Sequence, residues 1–403
     1  THGAPFSQNE IDLTKEKLGL PDKKFFVPEQ VIEHFRTRFN DLITLESEWS
    51  DTYKKLSSSS ELKNIIASTI SEKIISEFDT PDFSAGEVLA TRKAFGAVLD
   101  SIADDLPQLV GGSADLEPSN YTGNFAEKFG DFTKINQSGR YIPFGVREFP
   151  MAAMMNGMAL HGGLIPFGGT FLVFADYERP ALRLAAIQKI RVIHELTHDS
   201  FYVGEDGPTH QPVEQIMSLR AIPDFCVYRP ADAKETASCM KLALKNDSMP
   251  SALILTRQGV PIIEGSQNQV DDNVTKGAYT LLDCSGSPEI VILASGSEVS
   301  LAIEVANKLN DKKIRVVSMP CWELFDMQPN EYKEKLIPKR GSLKVSIEAG
   351  VTQGWEKYIG RYGLSIGINH FGSSAPAADL AEKFGFTCDK VIEKINESLG
   401  SLL

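Results

Sequence analysis

The sequence predicts an α/β fold of two three-layer domains, each a parallel or mixed sheet covered by helices, placed after a helical connector. Three observations predict it. Between about residues 86 and 260, short β-branched runs at 191–193, 225–228 and 252–256 alternate with helical patterns such as 88–99 and 213–219. Strands separated by helices in this way pair in parallel, because each crossover helix covers the sheet it leaves. After a polar linker near 262–276 the alternation resumes, with a strand over 289–294, a helix over 299–309, and strands over 314–318 and 343–347. Residues 1–85 lack the alternation; they are charged and mixed, with helices expected over 28–45 and 61–78 flanking a serine turn at 57–60. The expected boundaries are therefore 1–85, 86–260 and 261–403.

The chain has 403 residues, enough for two or three domains with sizeable cores. Lys and Arg number 41 against 54 Asp and Glu, a net charge of −13. Such a surface repels phosphate polyanions and acidic lipid, so neither nucleic acid nor a membrane is an expected partner. No charged residue occurs from 149 to 175, a stretch long enough to span a bilayer. Asn156, His161, Pro166 and the pairs Gly162-Gly163 and Gly168-Gly169 interrupt it, so it reads as buried core beneath an active-site loop. Five cysteines, an odd number with no C-x-x-C pair, argue against a disulfide framework or a cysteine-built zinc site and fit a reducing, cytoplasmic setting. No basic-then-apolar signal opens the chain, and Thr1 is not methionine.

His194-Glu195-Leu196-Thr197-His198 matches the helical zinc-protease pattern H-E-x-x-H. Here it continues a strand-like run, where residues four apart lie about 13 Å from each other and cannot share a metal. His198 and Asp199 remain, at the end of a buried strand, where open α/β sheets place ligand-binding groups. In residues 204–212, two glycines and two prolines fix a tight loop that presents Asp206 and His210 before a helix start. Two histidines and two acids within thirteen residues point to function rather than packing. Gly111-Gly112-Ser113-Ala114-Asp115-Leu116 reads as a strand running into a glycine loop, either a plain turn or a cradle where backbone amides and Ser119 hold an anion. Arg92 and Arg257 each edge an apolar element, where a guanidinium suits a phosphate or carboxylate, although taken singly each reads as a surface ion pair. Glu148, at the mouth of the uncharged run, is either paired with Arg147 or held for proton transfer. Phe171, Phe174 and Tyr177 recur every three residues, a spacing that by itself favours a helical core stripe over an aromatic pocket for a flat ring.

In order along the chain, LATRK, GGSADLEPSN, GVREF, GGTFLVFADY, THDS, GEDGPTHQP and LTRQ strongly resemble transketolase, GEDGPTHQP most specifically. The opening HGAPF and the LASGSEVSLA stretch extend the resemblance over nearly the whole chain. It implies a pyrimidine-binding domain over 86–260, a C-terminal α/β domain over 261–403, and two-carbon ketol transfer from a ketose phosphate to an aldose phosphate with thiamine diphosphate. Glu148 would then bond the aminopyrimidine, with Asp115, Phe171, Phe174 and Tyr177 around the cofactor. Arg92, Ser119, His198 and Arg257 would hold the sugar phosphate, Asp206 would read a substrate hydroxyl, and His2 and His210 would line the reacting centre. His210 would shuttle protons. A carboxylic acid at the far ring nitrogen promotes loss of the thiazolium proton, which explains the need for Glu148. The resemblance also implies a homodimer with the site between subunits.

In the family the cofactor diphosphate is held through Mg2+ or Ca2+ by a G-D-G and a later N-N motif, and this chain contains neither. The reading is that the metal-binding N-terminal domain is missing, residues 1–85 being its connector, that the chain supplies no metal ligand, and that it is inactive alone. It would be either a piece of a longer polypeptide or one subunit of a split enzyme. Dihydroxyacetone synthase and a non-catalytic dimerising or regulatory module are the alternative functions.

Overall fold

The computed structural model describes residues 5–59, 62–63, 80–265 and 267–402. His2 and all but two residues of the helix expected over 61–78 lie outside them. The chain divides into two units, Thr1–Lys63 and Asn64–Leu403.

The first unit holds helices α1 (Gln8–Lys17) and α2 (Glu29–Leu56). Ser7 starts α1 with a capping box: the Glu10 backbone amide donates to Ser7 Oγ (3.3 Å) and the Ser7 amide to the Glu10 carboxylate (2.8 Å). α2 starts after Pro28 and runs well past residue 45, because neither glycine nor proline interrupts it before the serine run.

In the second unit, β1 (Val88–Ala90) leads into α3 (Thr91–Ile102). The helix expected over 88–99 thus begins three residues late. Val88–Ala90 pairs instead with β7 (Gly259–Pro261), and the Thr91 and Thr256 amides each donate to the other's hydroxyl, at 3.0 and 2.7 Å. The first sheet comprises β2 (Leu109–Ser113), β3 (Ile165–Phe171), β4 (Ile193–Thr197), β5 (Cys226–Tyr228) and β6 (Ser251–Leu255), in the order β2-β3-β4-β6-β5 and all parallel. Every residue of these strands is buried, His194, Glu195 and Thr197 of β4 included, because helices cover a parallel sheet on both faces. Helices α4 (Glu148–His161), α5 (Ala175–Gln188), α6 (Gln215–Arg220) and α7 (Ala233–Lys245) occupy the connections. Gly111 and Gly112 belong to β2 rather than to a loop. A side chain on Gly111 would overlap the Phe167 carbonyl and one on Gly112 the Ile142 carbonyl, so glycine here serves close backbone approach.

The 262–276 segment, expected as linker, contains α8 (Gln267–Val274), whose buried Val270 and Val274 sit one turn apart. Two apolar residues suffice for a helix that buries only one side. The second sheet runs β12-β11-β9-β10-β8 from β8 (Tyr279–Leu282), β9 (Ile290–Ala294), β10 (Ile314–Ser318), β11 (Leu343–Ile347) and β12 (Leu364–Ile366), with β8 the antiparallel edge. Helices α9 (Glu298–Lys308) and α10 (Cys388–Leu402) pack together beside it. Among the described residues no helix is long and apolar enough to cross a membrane; residues 149–175 form α4 and β3.

Candidate functional site

The register of the first sheet decides where the site lies. Phe171 of β3 pairs with Thr197 of β4, and Thr197 with Leu255 of β6, so three strands end level. The chain that leaves each carries residues singled out above, at the C-terminal edge where doubly wound sheets bind ligands.

β4 ends at Thr197, and His198 adopts a left-handed conformation (φ 62°). That turn folds its imidazole over Phe171, ring centroids 3.8 Å apart. Thr197 Oγ1 lies 2.9 Å from His198 Nδ1 and 3.4 Å from the Asn120 side-chain amide, whose Oδ1 accepts from Ser113 Oγ at 2.7 Å. Burial, aided by the charges of Arg92, Arg257 and His210, pushes the His198 pKa down to about 3, so the ring is neutral at physiological pH.

Arg92, in the first turn of α3, donates from Nη1 to the Ser119 carbonyl (3.0 Å) and lies 5.2 Å over the Tyr121 ring. Its buried Nε has no hydrogen-bond partner among the described residues. Burial pulls the guanidinium below its usual pKa, and Arg257 adds to the effect. Ser119 meets Arg92 through its backbone, not its hydroxyl. Arg257 follows β6 and is exposed. Neither arginine is in a salt bridge among the described residues. A half-buried guanidinium with no carboxylate partner, beside a second one, suits an anion.

The aromatic triplet is not a helical stripe. Phe171 ends β3, Phe174 closes a single 3-10 turn and Tyr177 lies in α5. The rings of Phe171 and Phe174 are 5.9 Å apart and nearly parallel, and Tyr177 follows at 6.1 Å from Phe174. His210 stands edge-on to Phe174 at 5.6 Å, so Phe174 joins the imidazoles to an open pocket of roughly 530 Å³. Ala114, Asp115, Leu116, Val146, Glu148, Phe174 and Tyr177 line that pocket. Asp115 is held left-handed (φ 63°). Glu148 opens α4, and Arg147 turns away from it to donate to the Phe144 carbonyl (2.8 Å), so the two do not pair.

The glycines of the 204–212 loop take positive φ, 84° at Gly204 and 79° at Gly207. Gln211 braces the loop by donating to the carbonyls of Gly204 (2.7 Å) and Ser373 (2.9 Å). His210 thereby joins the ring cluster, whereas Asp206 is exposed and no contact joins it to the imidazoles among the described residues. His194 and His198 lie on and just beyond a strand, as the spacing argument requires. His194 sits 3.4 Å from Glu178 in full burial, and burial raises the Glu178 carboxyl. Sequence reasoning missed Asn120, Thr197 and Gln211. All three stand inside or beside motifs already singled out, but bridging roles leave no spacing signal.

Residues 87–262 match the family described as "Transketolase, pyrimidine binding domain" and residues 277–387 the "Transketolase-like TK C-terminal domain". Residues 1–74 match "Transketolase, thiamine diphosphate binding domain". That match overturns the expectation that this domain is missing, and with it the reading of an inactive isolated fragment. The absent G-D-G and N-N motifs bear on one metal-binding stretch, not on the segment matched here. Transketolase of Aquifex aeolicus (strain VF5) is 43% identical over 404 residues, which cover 98% of this chain and 58% of that protein. A structure of transketolase from Leishmania mexicana, 41% identical, aligns with a TM-score of 0.90 over 98% of this chain and 58% of that one. A transketolase complex with sedoheptulose 7-phosphate from Pichia stipitis, 36% identical, aligns at 0.89 over 98% and 59%. The chain therefore spans about three fifths of the length of these relatives. With the three domain matches in sequence order and identity spread along the whole chain, it belongs to the transketolase family.

Proposed function

We propose that the protein carrying this chain is a transketolase, a transferase moving a two-carbon ketol unit from a ketose phosphate to an aldose phosphate. The observation that carries the reading is Phe174, which touches both the Glu148 pocket and the imidazole cluster, placing a ring site and an anion site side by side. The pocket fits the aminopyrimidine of thiamine diphosphate: it offers aromatic walls for a flat ring and two carboxyls, Asp115 and Glu148, in its lining. When bound, that cofactor supplies an acidic carbon and an electron sink for cleaving the bond next to a carbonyl. Glu148 holds a proton at the pyrimidine nitrogen, and Asp115 borders the same pocket. His198, neutral and buried, bonds a substrate oxygen, while His210, on its braced loop, moves a proton at the reacting oxygens. Arg92 offers its guanidinium to the phosphate, with Arg257 and the Ser119 segment beside it, so binding energy orients the sugar. Asp206 and His2 are assigned to substrate only on family likeness.

Among the described residues no group of three or more His, Cys, Asp or Glu side chains is placed to hold a metal ion, so no step is derived through Mg2+ or Ca2+. A homodimer completes the reading. Phe149, Leu160, Leu184 and Ile187 on α4 and α5 are exposed apolar groups, and Tyr177 beside them lines the pocket, which a second subunit would cover. The domain boundaries proposed are 1–85, 86–260 and 261–403, and five unpaired cysteines support a cytoplasmic setting.

The test is turnover by the protein as its own gene encodes it, with thiamine diphosphate and Mg2+, following sugar phosphates by mass spectrometry. Cofactor-dependent ketol transfer between phosphorylated sugars is expected. Transfer only to formaldehyde would mean a dihydroxyacetone synthase, and no transfer to any acceptor would sink the proposal.

A further inference from the structure

We propose that Arg229 is a positioning residue, through which the second sheet holds Asp199 and thereby fixes the His198 imidazole over Phe171. The inference rests on the reading of His198 as a substrate-facing group. Arg229 follows β5 and is fully buried. Its Nε and Nη2 both donate to Asp199 Oδ2, at 3.1 and 2.7 Å. From the other side, Nη1 donates to the Ser295 carbonyl (2.9 Å), at the end of β9, and to Glu298, the first residue of α9. Gly296 between them has φ 60°, and a side chain there would run into the guanidinium. Glu298 also accepts from the Ala349 amide (3.0 Å), and Glu348 takes both Nη groups of Arg220, at 2.7 and 2.8 Å. Three carboxylates and two guanidinium groups are thus buried where the two sheets' connections meet.

Such a cluster is a poor source of stability, since burying the charges costs about what their attraction returns, and apolar residues would join the sheets as well. What the fork alone supplies is direction. Asp199 is the residue next to His198, and Ser200 Oγ donates to its other oxygen (3.1 Å). A non-glycine residue in the left-handed region persists only where its surroundings over-determine it. Asp199, gripped from the second sheet, is that constraint. Released from it, His198 can relax to an ordinary extended backbone, which swings the ring off Phe171.

Two variants test this. Asp199→Ala removes the acceptor and leaves Arg229 and Arg220 balanced by Glu298 and Glu348, so it keeps the fold; Arg229→Lys keeps the charge and loses the fork. Thermal unfolding monitors the fold. NMR titration of histidine-labelled protein, with His198→Gln identifying the resonance, reads the ring directly. The groups facing that ring are Arg92, Arg257, His210 and Thr197. In a folded variant we expect His198 to titrate at least one unit closer to the ordinary value, with kcat falling 10- to 100-fold and KM for the phosphorylated donor nearly unchanged. A folded Asp199→Ala protein in which His198 titrates as in the wild type overturns the proposal. So does one that unfolds, since the balanced pairs would then have been structural. Because the titration needs no turnover, an inactive wild type would refute the transketolase reading while leaving this test intact.

Discussion

The His198 imidazole lies 3.8 Å, centroid to centroid, from the Phe171 ring, tilted by 30°. One residue ends a strand and the other begins the loop after the neighbouring strand, so the contact exists only because β3 and β4 pair with Phe171 opposite Thr197. It places a neutral donor or acceptor against a hydrophobic wall, with Arg92 and Arg257 at its margin. Several measurable consequences come from this arrangement.

Acid should weaken the fold through His198. Its folded pKa is depressed to about 3, while the unfolded chain takes the proton near 6.5. Above pH 6.5 both states are neutral and no stability is lost. As pH falls from 6.5 to 3 only the unfolded state gains the proton, so stability drops by an amount on the order of a few kcal/mol. Tm measured at pH 7, 5 and 4 should fall less steeply in His198→Gln than in the wild type. Parallel pH profiles would remove His198 as the source.

Glu148→Gln should leave Tm within a few degrees of wild type and reduce turnover by roughly 10² to 10⁴, because an amide cannot cycle a proton to the ring nitrogen. Steady-state kinetics on the protein carrying this chain decide it. A folded variant with near-normal kcat takes Glu148 out of the mechanism.

The two arginines should differ. Arg92→Ala removes a half-buried donor with a free Nε, and a charge-assisted contact there is worth roughly 1.5 to 3 kcal/mol. That corresponds to about 10- to 150-fold in kcat/KM for sugar phosphates, with little change for unphosphorylated hydroxypyruvate. Arg257 is exposed, and its loss should cost about tenfold or less on the same comparison. Equal losses on both donors would make these residues structural.

Gly112→Ala should destabilise the protein by about 2 kcal/mol or more, since the added methyl overlaps the Ile142 backbone carbonyl, which cannot rotate away. Gly157→Ala, in α4 with open space around it, is the control and should be neutral or slightly stabilising. A Tm for Gly112→Ala matching that of Gly157→Ala would mean that the strands have room to separate.

The local pattern alone determined most of the fold. The second sheet's strands over 314–318 and 343–347 stand where the sequence places them, because a mostly buried strand leaves a short run rich in apolar and β-branched residues. The rejection of H-E-x-x-H as a metal grip also needed only the strand period. Tertiary structure decided the rest, wherever a residue's state depends on a partner distant in sequence. Val88–Ala90 is a strand because Gly259–Pro261 lies beside it, and Gly111-Gly112 stays extended because Phe167 and Ile142 press against it. Phe171, Phe174 and Tyr177 carry the spacing of a helix but pass through strand, turn and helix to form a wall. Asn120, Gln211 and Arg229 each bridge segments distant in sequence, across chain distances of 77, 162 and 30 residues. No window of sequence records such contacts, because sequence periodicity reports only how a residue meets its own helix or strand.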